Sequence, residues 1–203
     1  MTHVKICGIT NLKDAEDALG FGADAIGFVF AKSPRQISLN EAKKISKKVG
    51  PWITTVGVFV NERIQNILRI ASECHLSVIQ LHGDEAPPSL YSLRPYRIIK
   101  TFRIAEKKDF LKTKGYEADA YLFDTKTPDS YGGTGKSFDW SLIRTSRVPK
   151  PCIVSGGLNP DNVKAVIKML SPYGVDVSSG VETRPGKKDA KLVKMFIQNA
   201  KQK

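Results

Sequence analysis

The chain has 203 residues, of which 41% are hydrophobic and 26% are charged. This length can bury one substantial core and is short for two domains, so we expect one domain over residues 1–203. No apolar run approaches the roughly 20 residues of a membrane span. The N-terminal stretch MTHVKICGIT also lacks the apolar core of a secretory signal. We therefore expect a cytoplasmic protein with no membrane partner.

The charge balance is strongly positive. Lys and Arg total 32 against 20 Asp and Glu, which gives a formal net charge of +12. The lysines are spread over stretches that read as outer helix faces, and few aromatic residues accompany them. This pattern differs from the basic stripe with interleaved aromatics of a nucleic-acid binder. We expect no nucleic-acid partner, and a positive field that attracts an anionic metabolite.

The cysteines do not suggest a disulfide framework or a metal site. There are three, Cys7, Cys74 and Cys152, far apart in the chain and without a CxxC pair. The three histidines do not cluster with them. We predict no metal and no cofactor-binding cysteine cluster.

Short β-rich apolar runs alternate with helical patterns along the whole chain. The runs are Val-, Ile- and Phe-rich and close to continuously apolar, as is typical of parallel strands buried on both faces. The eight predicted strands span residues 3–7, 24–30, 53–60, 77–81, 96–102, 119–124, 151–155 and 174–178.

Helix signatures separate these runs. Ile64, Ile67, Leu68 and Ala71 follow the apolar spacing of an amphipathic helix, and similar stripes recur up to the C-terminus. Asn40 and the pair Asn159-Pro160 read as helix starts, whereas residues 85–93 and 140–144 give the weakest helical patterns. Eight alternating strands and helices predict a single-domain (β/α)₈ TIM barrel, with a doubly wound open sheet as the alternative.

In such a barrel the active site lies at the carboxyl ends of the strands. Cys7 comes directly after the first strand and before a helix start. We expect its thiol to be partly exposed with a lowered pKa, suited to act as base or nucleophile, with a buried apolar cysteine as the alternative. Asp124 ends the sixth strand among apolar residues and suits a general acid, with a helix cap or a loop-ordering aspartate as the alternative. Arg35, in the loop after the second strand, could bind a carboxylate in a bidentate manner or be a surface arginine.

Glycine-containing turns follow the seventh and eighth strands. They are SGGLN, with Gly156 and Gly157, and SSGVE, with Ser179 and Gly180. Barrels often bind phosphate with the loops after these two strands, because glycines let backbone N–H groups approach the anion. Tight turns without a ligand are the alternative for each, but two at these positions favour a phosphate site.

The quoted motifs resemble those of the phosphoribosylanthranilate isomerase family from near the first residue to the last helix. The stretches that carry the resemblance are KICGIT (5–10), GADAIGFVFAKSPRQIS (22–38), VGVFVNE (56–62), IQLHGDE (79–85), LFDTKT (122–127), GGTGKSFDW (132–140), SGGLNPDNV (155–163) and DVSSGVETRPGKKD (176–189).

The resemblance implies a (β/α)₈ barrel and a cofactor-free Amadori rearrangement of N-(5′-phosphoribosyl)anthranilate to 1-(o-carboxyphenylamino)-1-deoxyribulose 5-phosphate in tryptophan biosynthesis. It implies Cys7 as general base, Asp124 as general acid and Arg35 as ligand of the anthranilate carboxylate. The phosphate site then falls on Gly156, Gly157, Ser179 and Gly180.

Four further expectations accompany the resemblance. His82 lines the aromatic pocket or is a strand-end histidine, and Asp176 meets the ribose hydroxyls. The loop over residues 125–139 closes over the substrate. The chain is a monomer or a homodimer.

Two alternative interpretations of the sequence imply different functions. The histidine-pathway isomerase performs the same rearrangement on another aminoaldose, but that family places an aspartate where Cys7 stands. A non-catalytic protein that binds anions or nucleic acid would need a contiguous basic surface.

Overall fold

The computed structural model describes residues 1–125, 139–144, 146, 148 and 150–202. Eight strands form a closed barrel in chain order, and every neighbouring pair, including β1 with β8, is parallel. The predicted (β/α)₈ barrel is confirmed, and the open sheet is excluded. The strands are β1 (His3–Cys7), β2 (Ala25–Val29), β3 (Thr54–Phe59), β4 (Val78–Leu81), β5 (Arg97–Ile104), β6 (Ala120–Thr125), β7 (Cys152–Val154) and β8 (Gly174–Val177).

The crossovers are mostly α-helices. In the described residues these are α1 (Leu12–Gly20), α2 (Leu39–Val49), α3 (Ile64–Glu73), α4 (Ser141–Arg144), α5 (Val163–Leu170) and α6 (Ala190–Lys201). The crossovers after β4 and β5 are instead 3₁₀ helices, Pro87–Leu93 and Lys107–Thr113. The helix expected over 85–93 is therefore wrong in type, because the segment from Pro87 to Leu93 is a 3₁₀ helix. Within the described residues, no helix has the length and apolarity to cross a bilayer.

Both predicted helix starts are misplaced, since α5 begins at Val163 rather than at Pro160. Asn159 Oδ1 accepts hydrogen bonds from the N–H groups of Asp161 and Asn162, so it caps the turn that leads into α5. The start at Asn40 is wrong. Helix α2 begins one residue earlier at Leu39, and the Ser38 hydroxyl accepts from Glu41 N at 3.2 Å.

Alternation along the strands separates the two sides of the barrel wall. In β1, Val4 and Ile6 are fully buried in the large core cluster that also takes in the helices, so Lys5 and Cys7 face the barrel interior. A second, smaller apolar cluster of Ile99, Ala120, Leu122 and Ile153 lies inside the barrel. Asp124, two residues beyond Leu122, therefore faces the same interior, nearer the carboxyl ends of the strands.

A short antiparallel hairpin follows β8. It consists of β9 (Glu182–Arg184) and β10 (Lys187–Lys188). Asp14 in the first turn of α1 holds it, accepting from Lys187 Nζ at 2.6 Å and from the backbone N–H of Lys188 at 2.8 Å. The hairpin therefore returns the chain to the carboxyl end of β1, beside Cys7.

Candidate active site

Cys7 and Asp124 lie at the same end of the barrel. Cys7 ends β1 and Asp124 is the penultimate residue of β6, with β7 and β8 between the two strands in the closed sheet. Both side chains are buried, with 7% and 5% of each residue exposed, and strand alternation directs both into the barrel. The structure thus places a thiol and a carboxyl group around one interior space at the end where barrel enzymes carry their sites.

The expected exposure and lowered pKa of Cys7 are wrong. Burial raises the pKa of the thiol above its usual value, and the Asp176 carboxylate raises it further. The ammonium groups of Lys5 and Lys188 act in the opposite direction without outweighing these effects. A helix N-terminus next to Cys7 would lower the pKa of the thiol, but α1 begins only at Leu12. The loss of water around the sulfur therefore dominates.

Lys5 is the cation that acts most strongly on Cys7. Its Nζ meets Cys7 Sγ over Gly27, where a Cβ would lie 3.1 Å from Nζ and 2.9 Å from Sγ, and Nζ lies 2.9 Å from Asp176 Oδ1. The β1–β8 register sets Lys5 directly opposite Asp176, and each side chain is only 6% exposed. Burial alone would lower the pKa of Lys5, but Asp176 and Cys7 outweigh it and raise the pKa. Lys5 is therefore an ammonium ion at the base of the site.

A polar chain inside the barrel leads to Asp124. Gln80 Nε2 lies 3.1 Å from His82 Nδ1 and donates to Thr101 Oγ1 at 3.3 Å. Because an amide N–H can only donate, the neutral His82 ring carries its proton on Nε2. That Nε2 is 3.3 Å from Asp124 Oδ2 and makes no hydrogen bond with any described residue. His82 thus borders the carboxyl group of Asp124, whose Oδ1 accepts from Thr125 N at 2.7 Å.

The two glycine turns adjoin each other and Asp124. A Cβ on Gly156 would lie 2.9 Å from Asp124 Oδ1 and would collide with Thr125. A Cβ on Gly180 would collide with the carbonyl oxygen of Leu158, in the other turn. For the amides of Gly156 and Gly157 the described part of the chain offers no hydrogen-bond acceptor. Adjoining turns with free N–H groups are what an anion site requires.

Arg35 is not a surface arginine. Its side chain is 11% exposed and packs over Gly8, where a Cβ would lie 2.9 Å from Arg35 Cδ. The Glu182 carboxylate accepts from Arg35 Nε at 3.0 Å and Nη2 at 2.7 Å, and from Lys188 Nζ at 2.8 Å. Burial would raise the pKa of Glu182, but these two cations lower it. The carboxylate therefore fixes the guanidinium beside the turn that carries Cys7.

Sequence reasoning missed four residues of this site: Lys5, Gln80, Glu182 and Lys188. Lys5 and Gln80 carried a signal, because a polar residue within a buried strand and two positions from Cys7 or His82 must share its face. Glu182 and Lys188 carried none, since their positions depend on the hairpin after β8.

A cavity of about 300 Å³ opens beside the Arg35 loop. Its walls include Pro34 and Gln36, which flank Arg35, and the basic residues Arg184 and Lys187. Neither Cys7 nor Asp124 lines it, so it does not enclose the space between acid and base. The loop predicted over 125–139 falls almost wholly outside the described residues. Among the described residues, no group of three or more His, Cys, Asp or Glu could hold a metal ion.

Comparison with known proteins gives one consistent result. A family model described as N-(5′-phosphoribosyl)anthranilate (PRA) isomerase matches residues 4–199. The N-(5′-phosphoribosyl)anthranilate isomerase of Thermotoga petrophila is 51% identical, and the alignment covers 99% of each chain. The crystal structure of phosphoribosyl anthranilate isomerase from Thermotoga maritima has a TM-score of 0.93 and 46% identity over 99% of each chain.

A second solved structure holds a ligand. It is a phosphoribosyl anthranilate isomerase in complex with reduced 1-(o-carboxyphenylamino)-1-deoxyribulose 5-phosphate, with a TM-score of 0.90 and 44% identity over 99% of each chain. The match runs the length of the barrel and includes all the strand ends described above. This chain belongs to the N-(5′-phosphoribosyl)anthranilate isomerase family.

Proposed function

We propose that Cys7 is the general base and Asp124 the general acid with which this isomerase converts N-(5′-phosphoribosyl)anthranilate to 1-(o-carboxyphenylamino)-1-deoxyribulose 5-phosphate, a step of tryptophan biosynthesis. The observation that supports this assignment is the placement of both groups, buried and inward-facing, around one space at the carboxyl end of the barrel. Acid–base chemistry on a sugar needs one group to supply a proton and another to remove one.

The steps follow from that placement. Asp124, in its protonated form, gives its proton to the furanose ring oxygen as the bond from that oxygen to C1′ breaks, which leaves a Schiff base at C1′. The thiolate of Cys7 then removes the proton from C2′. The electron pair of that C–H bond forms the C1′–C2′ double bond of an enolamine, and this intermediate tautomerises to the ketone. Each positioned proton transfer contributes about 10²–10⁴-fold to the rate.

The remaining residues hold the two ends of the substrate. Arg35, fixed by Glu182, offers the rest of its guanidinium to the anthranilate carboxylate. The turns with Gly156, Gly157, Ser179 and Gly180 bind the phosphate. Gripping both ends fixes the reacting carbon between thiol and carboxyl group, which removes much of the entropic cost of the reaction.

Two residues have less direct roles in the proposal. His82 orients Asp124 from 3.3 Å and borders the aromatic ring of the substrate. Asp176 accepts from a ribose hydroxyl with Oδ2, while its Oδ1 stays bound to Lys5.

The test measures the loss of fluorescence of freshly prepared phosphoribosylanthranilate on adding the protein without metal or cofactor. Cys7→Ser and Asp124→Asn should each lower kcat by at least about 10²-fold with little change in KM, because each removes a group that acts only in the transition state. Near-normal kcat in either variant would contradict that residue's assignment. A wild-type protein that leaves the fluorescence unchanged would contradict the function itself.

The cytoplasmic location, the single domain and the monomeric or homodimeric state remain predictions. Light scattering of the purified chain across a concentration series distinguishes a monomer from a homodimer.

A further inference from the structure

The raised pKa of Cys7 leaves open what makes this thiol a base. A buried thiolate without a cation beside it is costly, because water no longer solvates the charge. A positive group must therefore approach the sulfur and must itself stay charged when buried. The charged residues that face Cys7 are Lys5 on its own strand, Asp176 on β8 and Lys188 on β10. Of these, the two lysines are the candidate cations.

Lys5 meets both conditions. The empty position over Gly27, opposite Cys7 in the β1–β2 register, is where the two side chains meet. A Cβ there would lie 2.9 Å from Cys7 Sγ and 3.1 Å from Lys5 Nζ. Asp176 holds the other side of the ammonium at 2.9 Å, and this carboxylate keeps Lys5 charged despite its burial.

Lys188 meets these two conditions, closeness to the sulfur and a stable charge, less well than Lys5 does. Its Nζ is committed to Glu182 at 2.8 Å and to the carbonyl oxygen of Ser178 at 3.1 Å. Burial lowers its pKa, although Glu182 and Cys7 oppose this. Of the two cations facing Cys7, Lys5 lowers the pKa of the thiol more strongly, and its Nζ is the one that meets Sγ over Gly27.

We propose that the ammonium group of Lys5, anchored by Asp176, is the counter-ion of the Cys7 thiolate and positions the thiolate for proton abstraction. The inference rests on the proposed function of Cys7 and names the group that makes it possible. On ionisation the thiol releases its proton to solvent, and the positive charge of Lys5 stays in place. In turnover the thiolate accepts the C2′ proton and becomes a neutral thiol again, so Lys5 neither gains nor loses a proton.

The experiment titrates the Cys7 thiol directly. Thiolate absorbance in the ultraviolet is recorded against pH, and the curve of the same protein carrying Cys7→Ser is subtracted to remove Cys74, Cys152 and the tyrosines. Lys5→Met should move the midpoint upward by at least about one pH unit, which lowers the thiolate fraction below the midpoint by about tenfold. The ascending limb of kcat/KM against pH should move by the same amount, since that limb reports the free enzyme.

Two further variants separate this role from a structural one. Lys100→Met removes a lysine that is equally buried and paired with Glu85 at 2.7 Å, and it should leave the Cys7 midpoint unchanged. Lys5→Met combined with Asp176→Asn leaves no unpaired buried charge, and its midpoint should still exceed that of the wild type, because Lys5 acts on the thiol more strongly than Asp176 does.

A Cys7 midpoint that stays at its wild-type position in the double variant would overturn the proposal, even if activity were lost. The titration needs no substrate, so a shift in a protein that does not convert phosphoribosylanthranilate would support the ion pair and refute only the proposed function.

Discussion

Replacing Glu182 with glutamine tests whether Arg35 depends on this carboxylate. The side chain keeps its shape but loses its charge, and one of its two oxygens becomes an N–H group that faces a cation. Glu182 accepts from Arg35 Nε and Nη2 at 2.7–3.1 Å and is only 4% exposed. A hydrogen bond to a charged group contributes about 1.5–3 kcal/mol. Loss of one such bond between Glu182 and Arg35 should therefore lower kcat/KM by about tenfold to about a hundredfold.

The effect should appear in KM rather than in kcat. In the proposed function Arg35 binds the anthranilate end, which does not react, so we expect it to contribute equally to substrate and transition-state binding. Steady-state kinetics of Glu182→Gln separates the two constants. Asp109→Asn is the matched control, since Asp109 is also buried and paired with a lysine, at 2.9 Å, but shares no partner with Arg35. A fall in kcat at unchanged KM would contradict the role of Glu182 in holding Arg35 for substrate binding. An equal rise of KM in both variants would show that the effect comes from lost stability.

Two further predictions concern the phosphate turns and acid stability. Gly180→Ala should raise KM, weaken inhibition by inorganic phosphate and cost about 1–3 kcal/mol of unfolding free energy, because its Cβ collides with the Leu158 carbonyl. Gly20→Ala is the control, since its Cβ would lie in open space. Unchanged phosphate inhibition in Gly180→Ala would contradict the proposed phosphate site. Burial opposes ionisation of Asp109, but the N–H groups of Ala105 and Glu106 and the Lys112 ammonium lower its pKa to about 2. Its ionised form therefore stabilises the fold fully above about pH 4 and ceases to do so as the pH falls towards 2. Asp109→Asn should lower the Tm near neutral pH and leave it unchanged near pH 2, so an equal loss at both pH values in thermal melts would contradict this reasoning.

The barrel could be predicted because its signal is repeated. Eight apolar runs determine the topology even though two of the crossovers are 3₁₀ helices rather than α-helices, and neither difference moves a strand. Cap residues are less predictable. Ser38 and Asn40 are both good caps, and the structure uses Ser38.

Residues at strand ends could also be predicted, but their electrostatic surroundings could not. The position of Cys7 follows from the end of a strand. Its pKa depends on water loss, on Lys5 beside it, on Asp176 from the far end of the chain and on Lys188 from the hairpin. Such terms need coordinates, because they combine groups separated by more than 150 positions in sequence and depend on distances of a few ångströms.

Asp176 has two opposite effects on Cys7. Asp176 raises the pKa of the thiol and at the same time holds the ammonium that lowers it. A ribose hydroxyl that donates to Asp176 would reduce the first effect, because the carboxylate shares its charge with the new donor, while the Lys5 ammonium stays beside the sulfur. Substrate binding would then favour the thiolate when the sugar is in place. A buried, protonated thiol is protected from oxidation, and burial is the largest of the effects that raise the pKa of Cys7.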